Sequence, residues 1–244
     1  MSDTHGAATV SRDVSVLHAI LRTAQREELV GSNAAAAAER PKLPRREWRI
    51  LQPQEVGRVA RAFTDEQYRV VFWTLVLTGV RREELRRLRW RDVDLVESVL
   101  RVRDAKSERG VRAIALAPLM AQLLTEHLER SAFRGADELV FCHPEKGSLL
   151  PVTAYATAFR AALVEAGVTD RLRPFHDLRH CSLTNGAAAG ETPIALMTRA
   201  GHANMSTTQT YLHLAGVVFH DEAKALEERF GTGIGIELRE PQTT

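Results

Sequence analysis

Apolar residues recur at helical spacing along most of this chain. Val14, Leu17, Leu21, Ala24 and Leu29 fall near one stripe and predict an amphipathic helix over 14–29. Gly31, Ser32 and Asn33 break that pattern. An alanine run then leads into the segment 40–46, whose two prolines and basic side chains predict an extended linker. Pro53 suits the first turn of a helix carrying Val56, Val59 and Phe63. The stretch Val70 to Leu77, apolar except for Thr74, predicts a buried helix ending at Thr78-Gly79. A further helix starting near Arg81 sets Leu85 and Leu88 on one face.

Near residue 98 the period shortens toward two. Ser98 to Arg103 alternates imperfectly and Val111 to Leu116 alternates better, with a turn through LysSerGluArgGly between them. Together they predict a β-hairpin with Lys106 near the start of its turn. Helical spacing returns after Pro118 with Leu119, Leu123, Leu124 and Leu128, and Leu139 to Phe141 reads as a short strand. Helices are expected at 153–166, 176–189, 193–200 and 207–212. A last one, near 219–230, carries Phe219, Ala223, Leu226 and Phe230 on one stripe. The expected fold is mainly α with a small antiparallel β-sheet. The division expected is a short helical segment over 1–38, a basic linker over 39–47, a main domain over 48–230 and a tail over 231–244.

Composition narrows the class. The chain has 244 residues, 44% hydrophobic and 26% charged, which excludes a wholly disordered chain, a collagen-like fibre or a disulfide-stapled mini-protein. The run from Val70 to Leu77 is far shorter than the roughly 20 residues of a membrane helix. The opening MSDTHGAATVSRD lacks the pattern of a secretory leader. A soluble cytoplasmic protein is expected, with Cys142 and Cys181 as reduced thiols.

The formal net charge of +2 says little, but its distribution is uneven. From Arg81 to Arg91 six arginines face two glutamates, and 39–49 is also basic, whereas 217–244 is acidic. Such patches suit a nucleic-acid partner, although a solvated helix face laced with ion pairs gives the same pattern.

Several common sites are missing: no GxxxxGK[ST] loop, GxGxxG, HExxH or GxSxG occurs. His176, His180, Cys181 and His202 match no standard zinc spacing, so neither a metal nor another cofactor is expected. What remains is a dispersed set comprising Arg81, Lys106, His176, Arg179, His202 and Tyr211. Singly, each has a bland explanation as a surface cation, a helix cap or a packed aromatic.

Their surroundings carry more. ThrGlyValArgArgGluGluLeu at 78–85 is followed by LeuArgTrpArgAspValAsp at 88–94 and AlaLysSerGluArgGlyValArg at 105–112. HisAspLeuArgHis at 176–180 and GlyHisAlaAsnMetSerThrThrGlnThrTyrLeuHis at 201–213 complete the series. In order and spacing, from about Trp48 to about Phe230, these strings resemble the catalytic domain of the tyrosine recombinases, the phage-integrase family.

The resemblance implies an enzyme that cleaves and rejoins DNA through a 3′-phosphotyrosine. Arg81 and Arg179 would clamp the scissile phosphate with planar, permanently charged forks, and His202 would donate a further hydrogen bond. Tyr211 would be the nucleophile, His176 its general base and Lys106 the general acid for the departing 5′ oxygen. Glu84 would be a supporting carboxylate. Arg82, Arg86 and Arg112 are candidates for phosphate contact. His180, His213 and Cys181 are assigned structural duty. The implied partner is double-stranded DNA, bound by a homotetramer that is monomeric without it and nucleoid-associated when bound.

Full-length integrases carry a helical DNA-binding domain ahead of the catalytic one, and here 1–38 resembles only its last helix. A catalytically silent DNA-binding remnant is therefore the alternative expectation, and a topoisomerase-like nicking and resealing activity a third.

Overall fold

The computed structural model describes residues 6–41, 48–103 and 111–217. The chain divides into two compact units, Met1–Glu47 and Trp48–Thr244.

In the first unit, α1 (Ala7–Arg26) starts seven residues before the predicted helix, because nothing in AlaAlaThrValSerArgAsp interrupts helical geometry. It ends as Glu28 turns to φ 58° and the Leu29 N–H bonds the Ala24 carbonyl at 2.9 Å. In the alanine run, Ala34–Ala37 form a 3-10 turn capped by Asn33. The Asn33 side-chain amide also donates to the His18 carbonyl at 3.0 Å, closing the turn back on α1.

The second unit starts with α2 (Pro53–Ala62), where Gln52 and Glu55 form a reciprocal capping box. Next is α3 (Glu66–Thr78), capped by Asp65 and stopped by Gly79 at φ 66°. After α4 (Arg82–Arg86) come three antiparallel strands in sequential order, β1 (Val93–Asp94), β2 (Val99–Val102) and β3 (Arg112–Ala115). Leu100 pairs with Ile114 and Val102 with Arg112, so these four side chains share the inward face. The helices α5 (Pro118–Arg130), α6 (Val152–Glu165), α7 (His176–Ala188), α8 (Pro193–Ala200) and α9 (Met205–Leu214) follow. No described helix is long and apolar enough to cross a membrane.

The fold is thus mainly α with a small antiparallel sheet, as expected. One element differs. Leu139 to Phe141 is not a strand; Leu139 and Cys142 make only isolated bridges, to Arg89 and Leu149. Two buried residues, Val140 and Phe141, supply the apolar run, but pairing with 88–90 stops at two backbone bonds, Trp90 N–H to Glu138 and Val140 N–H to Leu88, too few for a ladder. The helix expected at 219–230 and the tail after it lie outside the described residues.

Two hydrophobic clusters organise the second unit. The large one packs α2, α3, α5, α6 and the sheet around Phe72, Tyr155 and Phe159. A small one gathers Leu183, Ala187, Leu196, Ala200 and Tyr211, with Trp48 packed against it. Helix α7 belongs to both, through Leu178 and Cys181 on one side and Leu183 and Ala187 on the other. The polar residues of α7 therefore sit at a seam between two packed bodies.

Candidate active site

The seam is organised by the C-terminal end of α8. The last carbonyls of a helix lack intrahelical partners and carry partial negative charge. Here three consecutive ones are each taken by a different arginine. Arg112 Nε donates to the Arg199 carbonyl at 2.8 Å, Arg179 Nη2 to Ala200 at 2.6 Å, and Arg81 Nη2 to Gly201 at 2.8 Å. Residues far apart in sequence are thereby drawn to one point.

Glycines make that point accessible. Gly201 caps α8 at φ 64°, and a Cβ there would stand 3.0–3.2 Å from the Arg112 guanidinium. Gly79 turns α3 into α4, and its carbonyl accepts from Arg179 Nη1. The ThrGlyValArg and GlyHis strings thus place two carbonyl acceptors as well as the Arg81 and His202 side chains.

A buried carboxylate locks the arginines. Glu84 accepts from Arg81 Nη1 at 2.8 Å and from the Arg81 backbone N–H at 2.8 Å. It also accepts two bonds from Arg112, at 3.0 and 2.9 Å. Burial pushes the Glu84 carboxyl upward, but the Arg112 and Arg81 bonds outweigh it and hold the pKa at about 2. Arg179 is 8% exposed, and burial together with Arg81 lowers its guanidinium to about 10. The Arg81 side chain keeps 42% of its surface open, so the cationic cluster has one face toward solvent.

His202 and Tyr211 complete the cluster. His202 Nε2 lies 3.2 Å from Arg179 Nη2, and its Nδ1 lies 3.0 Å from Thr208 Oγ1. Because arginine only donates, Nε2 accepts and Nδ1 carries the proton. Burial, then Arg179 and Arg81, lower this histidine to about 4, leaving it neutral near pH 7. The Tyr211 ring stacks on His202 with centroids 5.7 Å apart and planes 13° apart. Burial raises the phenol above its ordinary value, while Arg179 and Arg81 pull the other way.

On its other side Tyr211 meets the His180 ring at 5.5 Å and Trp48 at 5.7 Å. His180 is 4% exposed, its ring lies 3.5 Å from that of Trp48, and its Nε2 is 3.0 Å from His176 Nε2. His180, expected to have structural duty, packs its ring against Tyr211 on the side opposite His202. Its position four residues after His176, on the same helix face, was the available signal.

Arg112 requires a correction. Expected to touch DNA, its side chain is 3% exposed and spent on Glu84 and the Arg199 carbonyl. Strand parity gives the reason: Ile114 faces inward, so Arg112, two residues earlier, does too. Arg82 is exposed beside Glu83, and Arg86 is largely covered beside the same carboxylate. Lys106 lies outside the described residues. Cys181 is a buried thiol accepting the Leu51 N–H at 3.2 Å, raised to about 11 by burial.

The arrangement couples a cationic pocket to an adjacent phenol. Planar cationic forks gathered at the α8 carbonyls favour a nearby anion, and Arg179 and Arg81 oppose the rise that burial imposes on the Tyr211 phenol.

Comparison with known proteins identifies the family. The phage integrase family profile matches residues 49–216. The integrase of Mycobacterium phage L5 is 29% identical over 213 residues, covering 81% of this chain and 56% of its own length. The integrase of Salmonella phage P22 is 28% identical over 240 residues, covering 93% and 59%. This chain spans less than two thirds of the length of such relatives. Among solved structures, the Tn1549 transposon integrase in complex with a circular intermediate DNA superposes with a TM-score of 0.74 at 20% identity. That match covers 93% of this chain and 81% of the other.

Proposed function

This chain belongs to the phage integrase family, and from that premise we propose that it is a site-specific DNA recombinase acting through a 3′-phosphotyrosine. Tyr211 attacks the scissile phosphorus and expels the 5′ oxygen, so one phosphoester replaces another and no external energy source is needed. Arg81 and Arg179 hold the non-bridging oxygens as negative charge accumulates on them. Pre-aimed donors of this kind are each worth about 2.7–4 kcal/mol in comparable oxyanion sites.

His202 donates to the same phosphate after its proton moves from Nδ1 to Nε2, a tautomer change that an incoming anion favours. His176 takes the phenolic proton, and Lys106 supplies the proton to the 5′ oxygen. Glu84 holds Arg81 in place. Arg82, with Arg86 beside it, offers contacts to flanking phosphates.

The observation that supports this reading is the stacking of the Tyr211 ring on the histidine bonded to Arg179. The partner is duplex DNA, and we place two duplexes in a homotetramer. A cavity of about 820 Å³ lined by Val56, Trp73, Val76, Ile114 and Ala195 supports such assembly. The apolar stripe of 219–230 from a neighbouring copy is its proposed occupant.

The test is covalent trapping on nicked duplexes drawn from the DNA junctions flanking the gene. A protein–DNA adduct is expected, lost in Tyr211→Phe while DNA retention persists. Retention without any adduct would instead identify a silent binding remnant. Plasmid relaxation without recombinants would identify a nicking and resealing enzyme.

A further inference from the structure

His176 and His180 stand one turn apart at the start of α7, with Nε2 atoms 3.0 Å apart and ring planes at 86°. One hydrogen bond between the rings satisfies that spacing. So, nearly, does a metal ion. At about 2.0–2.1 Å from each nitrogen, a tetrahedral centre separates its two ligand atoms by about 3.3 Å. A few tenths of an ångström of separation, with a tilt of the rings that converges both lone pairs, therefore turn the pair into a chelate.

Three features favour an ion here. His176 is exposed, so an ion reaches the pair from solvent. His180 is buried against Trp48, so one arm is already fixed and little freedom is lost on binding. The Asp177 carboxylate lies within 4.8 Å of both ligand atoms and adds negative charge, although it is also bound by Arg173. Two imidazoles suit zinc, nickel or copper better than magnesium or calcium, which prefer oxygen.

We propose that His176 and His180 form a chelating site for a borderline divalent ion of the zinc class, and that the bound ion inhibits strand cleavage. The inhibition rests on the proposed role of His176. A metal on its Nε2 occupies the lone pair that would take the Tyr211 proton. The binding itself does not depend on that role.

Trp48 supplies a reporter. Copper(II) at His180 stands beside the indole and quenches its fluorescence. Titrating the untagged full chain with copper sulfate should give a saturable quench of one ion per chain, and zinc chloride should compete with it. Trp48→Phe should remove that part of the signal. His176→Ala, an exposed substitution, should abolish the saturable phase, and His180→Asn should do the same in a chain that keeps its thermal transition. A wild-type titration surviving in His176→Ala, or a quench that only rises linearly with copper, would overturn the site.

The second measurement is the adduct assay. Zinc should block adduct formation and a chelator should restore it. A saturable site without any effect on the adduct would overturn the inhibition. Absence of an adduct in the metal-free chain would count against the recombinase reading, leaving the fluorescence titration to decide the site.

Discussion

Arg112 and Glu84 meet through two parallel hydrogen bonds of 3.0 and 2.9 Å, with side chains only 3% and 6% exposed. The pair joins the return strand of the hairpin to the carboxylate that holds Arg81. Removing one partner of such a pair strands the other charge in the interior, which costs about 3–5 kcal/mol. Arg112→Met is expected to destabilise the chain by that order in urea unfolding. Arg112→Lys should restore only part, because an ammonium cannot make the bidentate contact.

The same carboxylate fixes a pH dependence. Glu84 sits at about 2 when folded, against an ordinary value of 4.5, because its bonds to Arg112 and Arg81 outweigh burial. Its stabilisation is therefore complete above about pH 4.5 and disappears as the pH falls toward 2. Unfolding midpoints measured across that window should drop steeply in the wild type. They should drop less in Glu84→Gln, which has already lost the contribution at neutral pH.

His202 acts in the same protonation sense but in a higher window. Its folded value of about 4 lies below the ordinary 6.5, through burial and the neighbouring Arg179 and Arg81. The unfolded chain therefore takes up this proton first, and stability falls as the pH drops from 6.5 to 4. His202→Gln should show a shallower loss across that range in denaturant titrations. DNA binding should raise the His202 value in wild-type NMR titrations, since a phosphate favours the donor form.

Two glycines separate backbone strain from close packing. Gly201 and Gly190 both have positive φ, 64° and 86°, so alanine costs about 1 kcal/mol at either. Only Gly201 also has the Arg112 guanidinium within 3.2 Å of a new Cβ, whereas nothing lies within 4 Å at Gly190. Gly201→Ala should be the more destabilising by thermal unfolding, and it alone should slow adduct formation.

Much of this arrangement is legible in the sequence. Helical spacing marks the buried turn of α3, and Pro53, Pro118 and Pro193 mark the starts of α2, α5 and α8, because those signals are local. The dispersed polar residues are findable only through the resemblance, since no periodicity relates Arg81 to Arg179. Arg112 shows where reading by residue type misleads: arginine suggests surface, but the strand's alternation places it beside Ile114 on the inward face. Val140 and Phe141 mislead the other way, as a β-prone pair that is buried without a ladder. His180 looked structural because it follows an arginine. Its neighbour in space, Trp48, lies 132 positions away, beyond any local pattern.

The end of α8 offers three backbone oxygens to three guanidinium groups before any substrate arrives. The partial negative charge of the helix terminus thus quiets mutual repulsion among the arginines. Assembly of the pocket therefore need not await a ligand. On the proposed reading, a phosphate would meet guanidinium groups already gathered, where a less prepared site would first have to collect them.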